Sequence, residues 1–391
     1  MNSTVPEEFL IDLPACAAKC VTTTLLHATP CSVTQQKCIC TNKPLLTDAI
    51  GCFSLQCPPK LSLSSTNITR AACGMPEKSE TDLAPALAGS LGTLALIMVI
   101  LRWSQRMFMK KSLGRDDGLL LMALDCAAPL NCLTFPLKTH GLGTNVWTIP
   151  FDNITVQLKL LFLAEVFYMP SETLTQLSFL AFYLRIFPPS KYQYMAYALG
   201  VVSMCFGISN TLVIIFQCTP VSFVWTKWVG ETAGSCIDIN SYSWYRAAMQ
   251  IVMDLSIIAL PLWPLSKLSL SKRKKTLVLV MFCTGFLITV VSCLRLQSLI
   301  KFSKSANISM DNNPAIFWSV VECDVAIICA CLPCLPSLLQ PCFPGCFGST
   351  RQYPKAENRT PSTVRMEHFK RREDFSILHT SASRDGLVSE Q

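Results

Sequence analysis

The sequence predicts an all-α membrane protein, in which a seven-transmembrane-helix bundle follows a small disulfide-rich extracellular domain. The first observation is composition: 51% of the 391 residues are hydrophobic and 15% are charged, whereas soluble domains carry about 25% charged residues. Mean hydropathy is +0.39. The second observation is that the apolar residues gather in segments of about 20 residues, a length that crosses a hydrocarbon core of ~30 Å. The third is a group of eight cysteines between Cys16 and Cys73.

The N-terminal domain, residues 1–80, is expected to be held by disulfide bonds in an oxidising compartment. A segment of this size buries too little apolar surface to fold on a hydrophobic core alone. Cys38 and Cys40 are too close to bond each other without strain, so they are expected to have different partners. A zinc site is the alternative, but His27 is the only histidine here and no Cys-x2-Cys pair is present. The predicted disulfide cysteines are Cys16, Cys20, Cys31, Cys38, Cys40, Cys52, Cys57 and Cys73.

Apolar segments divide residues 84–340 into seven predicted spans. Residues 1–15 contain neither a basic start nor an apolar run, so no secretory signal peptide is expected there. The spans cover about residues 84–103, 118–136, 154–187, 194–216, 245–265, 276–296 and 315–335.

Basic residues and glycosylation sequons agree on one orientation in the plasma membrane. The positive-inside rule places the most basic loops in the cytoplasm, which leaves the N-terminus outside. The polar tail, residues 341–391, is then cytoplasmic and is expected to be disordered. The bases that set this orientation are Arg102, Arg106, Lys110, Lys111, Arg115, Lys272, Arg273, Lys274 and Lys275. Four sequons lie on predicted outside segments and are candidate glycosylation sites: Asn2, Asn67, Asn153 and Asn307.

The third span is the predicted centre of the bundle. It carries Lys159, Glu165, Glu172 and Gln176 among Leu, Phe and Tyr residues. Because a polar side chain in hydrocarbon costs a few kcal/mol, this stripe is expected to face other helices. The alternative is an ordinary long span whose ends reach out to the interfaces.

Charged residues inside the predicted spans are the candidate functional groups. Acids from the fifth and seventh spans are expected to share one polar interior with an arginine of the sixth. They form either a structural ion-pair network or the floor of a ligand pocket, and the proton relay of a carrier would use the same groups. The predicted interior residues are Asp125, Glu165, Glu172, Asp254, Arg295, Glu322 and Asp324.

The remaining signals concern a loop and the absence of catalytic motifs. Cys218 and Cys236 fall in the outside loop between the fourth and fifth spans, where they form either a disulfide or two free thiols. No hydrolase, phosphate-loop or zinc-protease motif is present, and the four histidines are dispersed, so neither an enzyme nor a metal site is expected. The net charge of +8 is spread over loops rather than one face, which disfavours nucleic acid as a partner.

The cysteine spacing from Pro14 to Cys73 resembles the CFEM domain, an eight-cysteine extracellular module of fungi. Pro14-Ala15-Cys16-Ala17 at its start and Cys38-Ile39-Cys40 carry the resemblance. It implies a small helical domain. Some CFEM domains bind haem through an aspartate shortly before the Cys-x-Cys pair. Here Gln35 stands near that place, so no haem or other cofactor is expected.

The membrane region, over about residues 84–340, resembles the fungal rhodopsin-like seven-helix domain. The phrases that carry this resemblance are Gly114–Asp117, His140–Gly143, Leu177–Phe187, Gln217–Pro220, Asp254–Leu255, Ser292–Leu296 and Trp318–Glu322. With the CFEM-like domain, the chain looks like a fungal receptor of the type implicated in host-surface sensing and pathogenicity. Other relatives belong to secondary-metabolite gene clusters. The resemblance implies an extracellular ligand, membrane lipid around the bundle and a heterotrimeric G protein as the candidate cytoplasmic partner.

The chain departs from the animal receptors and from its own family at identifiable positions. Residues 315–335 contain no lysine, so no retinal Schiff base forms there, and no Asn-Pro-x-x-Tyr is present. Leu184-Arg185-Ile186 does not reproduce Asp/Glu-Arg-Tyr, and Gln176 replaces an expected lysine. Arg185 and the basic run at 272–275 are the predicted coupling residues. A membrane carrier, a haem or iron acquisition component and a surface adhesion protein are the alternative functions.

Overall fold

The computed structural model describes residues 12–28, 36–77, 79–108, 113–186, 191–266, 283, 285–297 and 307–334. Helices account for most of this part of the chain. Its single sheet is a two-stranded antiparallel pair, β1 (Cys218–Thr219) and β2 (Ser235–Cys236). The tail, residues 341–391, and the basic run at 272–275 lie outside the described residues.

Four short helices form the N-terminal domain: α1 (Ala15–Ala28), α2 (Gln36–Thr41), α3 (Lys43–Gln56) and α4 (Pro59–Ala72). Their core is small and centres on Phe53 and Leu45, which are almost fully buried. The Asn42 side chain caps α3 by accepting a hydrogen bond from the Leu45 N–H at 3.3 Å. So small a core needs covalent support, as the sequence predicts.

Disulfide bonds supply that support. They join Cys16 to Cys57, Cys20 to Cys52 and Cys40 to Cys73, and Cys38 is also disulfide-bonded. The predicted separation of Cys38 from Cys40 is therefore confirmed. Cys31 lies outside the described residues.

Seven helices make up the described part of the bundle: α5 (Leu83–Phe108), α6 (Arg115–Thr139), α7 (Phe151–Ile186), α8 (Lys191–Ile215), α10 (Ile239–Ser266), α11 (Gly285–Gln297) and α12 (Ile308–Cys331). A short helix, α9 (Phe223–Thr226), lies in the loop after α8. Within the described residues, α5, α6, α7, α8 and α12 are long and apolar enough to cross a membrane. The predicted all-α membrane fold is confirmed.

The 36-residue α7 is the central helix, as predicted, and it packs against α6, α8, α9, α10 and α12. At ~1.5 Å per residue it is about 54 Å long, so it extends beyond the hydrocarbon core. Tyr168 and Ala164 on its middle turns are 1% exposed and pack against Leu130 of α6 and Val320 of α12.

The α7–α8 contact depends on a glycine. A Cβ added at Gly207 would lie 2.2 Å from Thr173 Oγ1, 2.4 Å from its Cγ2 and 2.8 Å from its Cβ. A threonine rotamer change cannot clear all three atoms because the Cβ itself is fixed by the backbone. At Gly200 on the same helix, the nearest atoms are at an ordinary 3.9 Å.

Gly207→Ala is therefore expected to destabilise the protein by about 1–3 kcal/mol, as overpacking of a helix interface does. Gly200→Ala is the matched control and is expected to be neutral or slightly stabilising. Thermal unfolding of both variants in the same detergent measures the difference. Equal melting temperatures for the two variants would show that α7 and α8 tolerate separation at Gly207.

The N-terminal domain sits on the end of the bundle where α5 begins, which we call the module end. Arg70 stacks on Trp147 at 4.5 Å, and Lys60 pairs with Glu231 at 3.2 Å. The linker is fixed as well, since the Glu80 N–H donates to the Gly143 carbonyl at 2.9 Å. The opposite end, where α5 ends and α6 begins, is called the far end.

Candidate functional site

A buried cluster of arginines and aspartates closes the far end. The Arg102 guanidinium donates to Asp117 Oδ1 at 2.8 Å and to Asp116 Oδ2 at 2.5 Å. Arg106 bonds the same two carboxylates at 2.8 and 3.1 Å. Arg102 is 1% exposed and also donates to the Ala330 carbonyl, which ties α5 and α6 to α12. Such a cluster is stable only while each charge keeps its partners.

Arg185 connects α7 to this far-end cluster. Its Nη1 donates to Asp116 Oδ1 at 3.2 Å and lies 3.9 Å from Asp117 Oδ2. The Arg185 side chain is 36% exposed, so it is the most accessible arginine of the cluster. The residue before Arg185 is not acidic, unlike in Asp/Glu-Arg-Tyr, but Asp116 at the start of α6 lies close enough to pair with Arg185 instead.

A second cluster, the interior cluster, lies in the middle of the bundle. Tyr168 donates to Glu322 Oε2 at 2.8 Å and accepts from Arg295 Nη1 at 2.7 Å. Arg295 also donates to Ser319 Oγ at 3.0 Å and lies 3.7 Å from Glu322. Ser292 bonds the other Glu322 oxygen. The predicted meeting of Arg295 with an acid of the last span is therefore observed.

Asp254 of α10 belongs to the same interior cluster. Its Oδ1 accepts from Gln176 at 2.8 Å and from Gln250 at 3.3 Å, and its Oδ2 lies 3.4 Å from Ser292 Oγ. Gln176 is held in turn by the Ser203 hydroxyl of α8 at 2.7 Å. Gln176, at the position where a lysine was expected, thereby joins α7, α8 and α10.

Glu172 also belongs to the interior cluster. Its partner, Arg246, was not predicted from the sequence. Arg246 of α10 lies 3.3 Å from Glu172, and both side chains are at most 10% exposed. The guanidinium groups of Arg246 and Arg295 stack on the Tyr168 ring at 5.0 and 4.2 Å. Arg246 is the second residue of the predicted fifth span, where a charge is also compatible with the membrane interface, so the sequence did not mark it as an interior group.

A cavity of about 240 Å³ opens between this cluster and the module end, and we call it the bundle cavity. Tyr168, Arg295 and Ser319 line its deep end. Glu165 and Gln217 also line it. The cavity therefore presents both hydrogen-bond acceptors and donors among apolar walls, as small-molecule sites do.

The loop between α8 and α10 forms part of the wall of the bundle cavity. Cys218 and Cys236 form the predicted disulfide and pair across β1 and β2, and Val224 from this loop lines the cavity. Asp238 caps α10 by accepting hydrogen bonds from the Ser241 hydroxyl and backbone, and these bonds lower the pKa of its carboxyl group. The loop is thus pinned at both ends.

The structure corrects two sequence predictions about polar groups, those for Asp125 and Lys159, and confirms a third, that for Asp324, only in part. Asp125 is exposed on the outer face of α6 and does not enter the interior. Asp324 is fully buried, but it accepts from Asn131 of α6 at 2.9 Å, away from the interior cluster. Lys159 is exposed and lies 5.7 Å from the Trp225 ring. Hydropathy locates a residue along a helix, but the rotation of that helix depends on its neighbours.

Two arginines placed in a loop by their sequence are also buried. Arg102 and Arg106 lie within α5 and belong to the far-end cluster. The signal was available, because Arg102 stands inside an apolar stretch and two aspartates follow at 116 and 117. Arg115, the next base among the described residues, is exposed.

The predicted glycosylation sites differ in their surroundings. Asn67 and Asn153 are partly exposed. Asn307 accepts from the Val146 N–H at 3.0 Å and donates to Asn145 at 2.8 Å, so its amide is already engaged. Asn2 lies outside the described residues.

Comparison with known proteins agrees with this architecture. The CFEM domain model matches residues 10–74, and the fungal rhodopsin domain model matches residues 101–341. No solved structure matches significantly.

Three relatives illustrate the range of similar proteins. "Satratoxin biosynthesis SC1 cluster protein 4" of Stachybotrys chartarum is 30% identical over 44% of this chain and 62% of its own length. "SAT4 family membrane protein" of Emericella nidulans is 27% identical over 54% of this chain and 53% of its own. "Receptor GIN3" of Arthrobotrys oligospora is 23% identical over 51% and 48%.

The chain thus spans less than two thirds of the length of each of these relatives. The rhodopsin-domain match nevertheless covers more than half of the chain and the whole span from α6 to α12. This protein is a membrane receptor-like member of the fungal rhodopsin domain family that carries an N-terminal CFEM domain.

Proposed function

We propose that the chain is a plasma-membrane receptor that detects an extracellular cue and signals to a cytoplasmic partner. The strongest support is that a single helix, α7, contributes residues to the bundle cavity, the interior cluster and the far-end cluster. One helix lines the bundle cavity with Glu165 and Tyr168, joins the interior cluster through Glu172, and ends at Arg185 in the far-end cluster. A shift of α7 caused in the cavity would therefore reach the far end.

Such coupling requires that the cue bind two arrangements of the bundle unequally. Charged groups within a membrane are costly, and they usually mark functional sites. Arg185 is the part of the far-end cluster best placed to change partners, because it makes the longest hydrogen bond of the three arginines to Asp116 and is the most exposed. We propose that its release from Asp116 opens a surface for the partner.

The proposed topology has the CFEM domain outside and the far end in the cytoplasm, where the basic loops would lie. A heterotrimeric G protein is the proposed partner class, and membrane lipid surrounds the bundle. No cofactor, haem included, and no catalytic step is part of the proposal. The names of two relatives, a biosynthesis cluster protein and a receptor, support cue sensing in a surface or secondary-metabolite setting.

Proximity labelling from the C-terminal tail tests this function. Cells on hydrophobic and hydrophilic surfaces are compared, and we expect a G-protein α-subunit whose labelling changes with the surface. Arg185→Ala is expected to reduce that change by about fivefold or more, which is the low end of allosteric coupling. The cost in stability should be only about 0–1 kcal/mol, because the pair is partly exposed and Arg102 and Arg106 still neutralise Asp116.

Lys191→Ala is the matched control, since Lys191 is an exposed base at the same end of the bundle. It should leave the surface-dependent labelling unchanged. If no G-protein subunit is labelled on either surface, or if both variants behave like the native chain, the proposed coupling is wrong.

A further inference from the structure

A second cavity, of about 270 Å³, lies between the CFEM domain and the bundle, and we call it the module cavity. Pro59, Ser62 and Leu63 of α4 form one wall. Ile154 and Leu158 of α7 belong to the opposite wall. Neither the domain nor the bundle alone encloses this space.

Several polar groups of the module cavity are already paired with protein. Gln157 Nε2 donates to Ser309 Oγ at 2.8 Å, and Ser309 Oγ donates to the Gly141 carbonyl at 2.9 Å. Trp228 Nε1 donates to Thr155 at 3.1 Å. None of the described residues that line the cavity is charged. Its surface therefore favours an apolar occupant over an ion or a sugar.

The module cavity and the bundle cavity share part of their lining along one face of α7. Leu158 and Leu161 line both cavities. Ile154, Leu158, Leu161, Glu165 and Tyr168 are three or four residues apart and so share a helix face. From Ile154 to Tyr168 this face is about 21 Å long at ~1.5 Å per residue. A molecule that fills it is elongated.

The deep end of this face offers hydrogen bonds from groups of opposite charge. Glu165 accepts hydrogen bonds, whereas Arg295 donates them. The charges of Glu165 and Arg295 have opposite sign, so an ionised ligand group would meet attraction and repulsion together. A neutral group that both donates and accepts, such as a hydroxyl, suits this end best.

We propose that the two cavities form one binding site for an elongated, uncharged amphipathic small molecule. Its hydrogen-bonding end lies near Glu165 and Arg295, and its apolar end lies under the CFEM domain against Leu63. The domain is thus a wall of the ligand site rather than a separate capture module. This inference rests on the proposed receptor function and names the chemical class of its ligand.

Photolabelling of the full-length protein in nanodiscs tests the site. The probe is hexadecan-1-ol with a diazirine near its methyl end, and labelled residues are identified by mass spectrometry. We expect labels on the stretches around Leu63 and Trp228, removed by excess unlabelled hexadecan-1-ol. Leu63→Trp fills the apolar end and should reduce this labelling about tenfold, equivalent to ~1.4 kcal/mol of binding.

The matched control is Leu61→Trp on the same helix, since Leu61 is 42% exposed and does not line the cavity. It should label like the native protein. Leu63→Ala keeps the cavity open and should retain labelling, which separates a filled site from a misfolded domain. The proposal is overturned if labels fall only on lipid-facing side chains such as Leu96 and Ile100. It is also overturned if phospholipid displaces the probe as well as hexadecan-1-ol does.

The result is independent of the signalling test. Labelling under the CFEM domain without any surface-dependent proximity signal would leave the site standing and remove the receptor function. A surface-dependent signal in a chain that never labels near Leu63 would do the reverse.

Discussion

Arg102→Met is expected to destabilise the folded protein by about 3–5 kcal/mol. Arg102 bonds both Asp116 and Asp117, and all three side chains are at most 2% exposed. Methionine fills a similar volume but leaves two buried carboxylates with fewer positive partners. It also leaves the Ala330 carbonyl without the guanidinium that bonds it. Thermal or denaturant unfolding in detergent measures the loss.

Arg115→Met is the control for this prediction. Arg115 is the residue directly before Asp116, but it is exposed and makes no ion pair in the described part of the chain. Its loss should change stability by less than about 0.5 kcal/mol. If the two variants have the same stability, the far-end cluster does not hold the helices together at that end. The proposed role of Arg185 then loses its structural basis.

The fold could be predicted from the sequence because the patterns that indicate it extend over many residues. A 20-residue apolar segment identifies a span whatever its neighbours are, and eight cysteines in a short domain require disulfides. Which cysteines pair was not predictable, since Cys16 lies 41 residues from Cys57 and their approach depends on how α1 packs on α3.

Most charged residues of the candidate site could be identified from the sequence, but the residues that they contact could not. Asp254, Arg295 and Glu322 were identified because charges are rare in apolar segments. Asp125 satisfied the same rule and yet faces outward, since one residue turns a helix by about 100°. The acid beside Arg185 was missed for a related reason, because Asp116 lies 69 residues away in the chain.

Arg295→Met is expected to destabilise the protein by about 3–5 kcal/mol and to collapse the deep end of the bundle cavity. Among the described residues, the interior cluster and the adjoining bundle cavity hold four acids (Glu165, Glu172, Asp254 and Glu322) against two arginines (Arg246 and Arg295). The formal balance is already −2, and losing Arg295 makes it −3. Glu322 would then keep only its hydroxyl partners, Tyr168 and Ser292.

The double variant Arg295→Met/Glu322→Gln decides whether this loss is electrostatic. Glutamine keeps the shape of Glu322 and removes its charge, so the double variant restores the balance to −2. We expect it to recover more than half of the stability lost in Arg295→Met, giving a coupling energy of about 1–3 kcal/mol in a double-mutant cycle. Additive losses would instead mean that Arg295 stabilises the protein through its packing on Tyr168. The interior cluster would then support the cavity by packing, rather than link it to the far end through a network of charges.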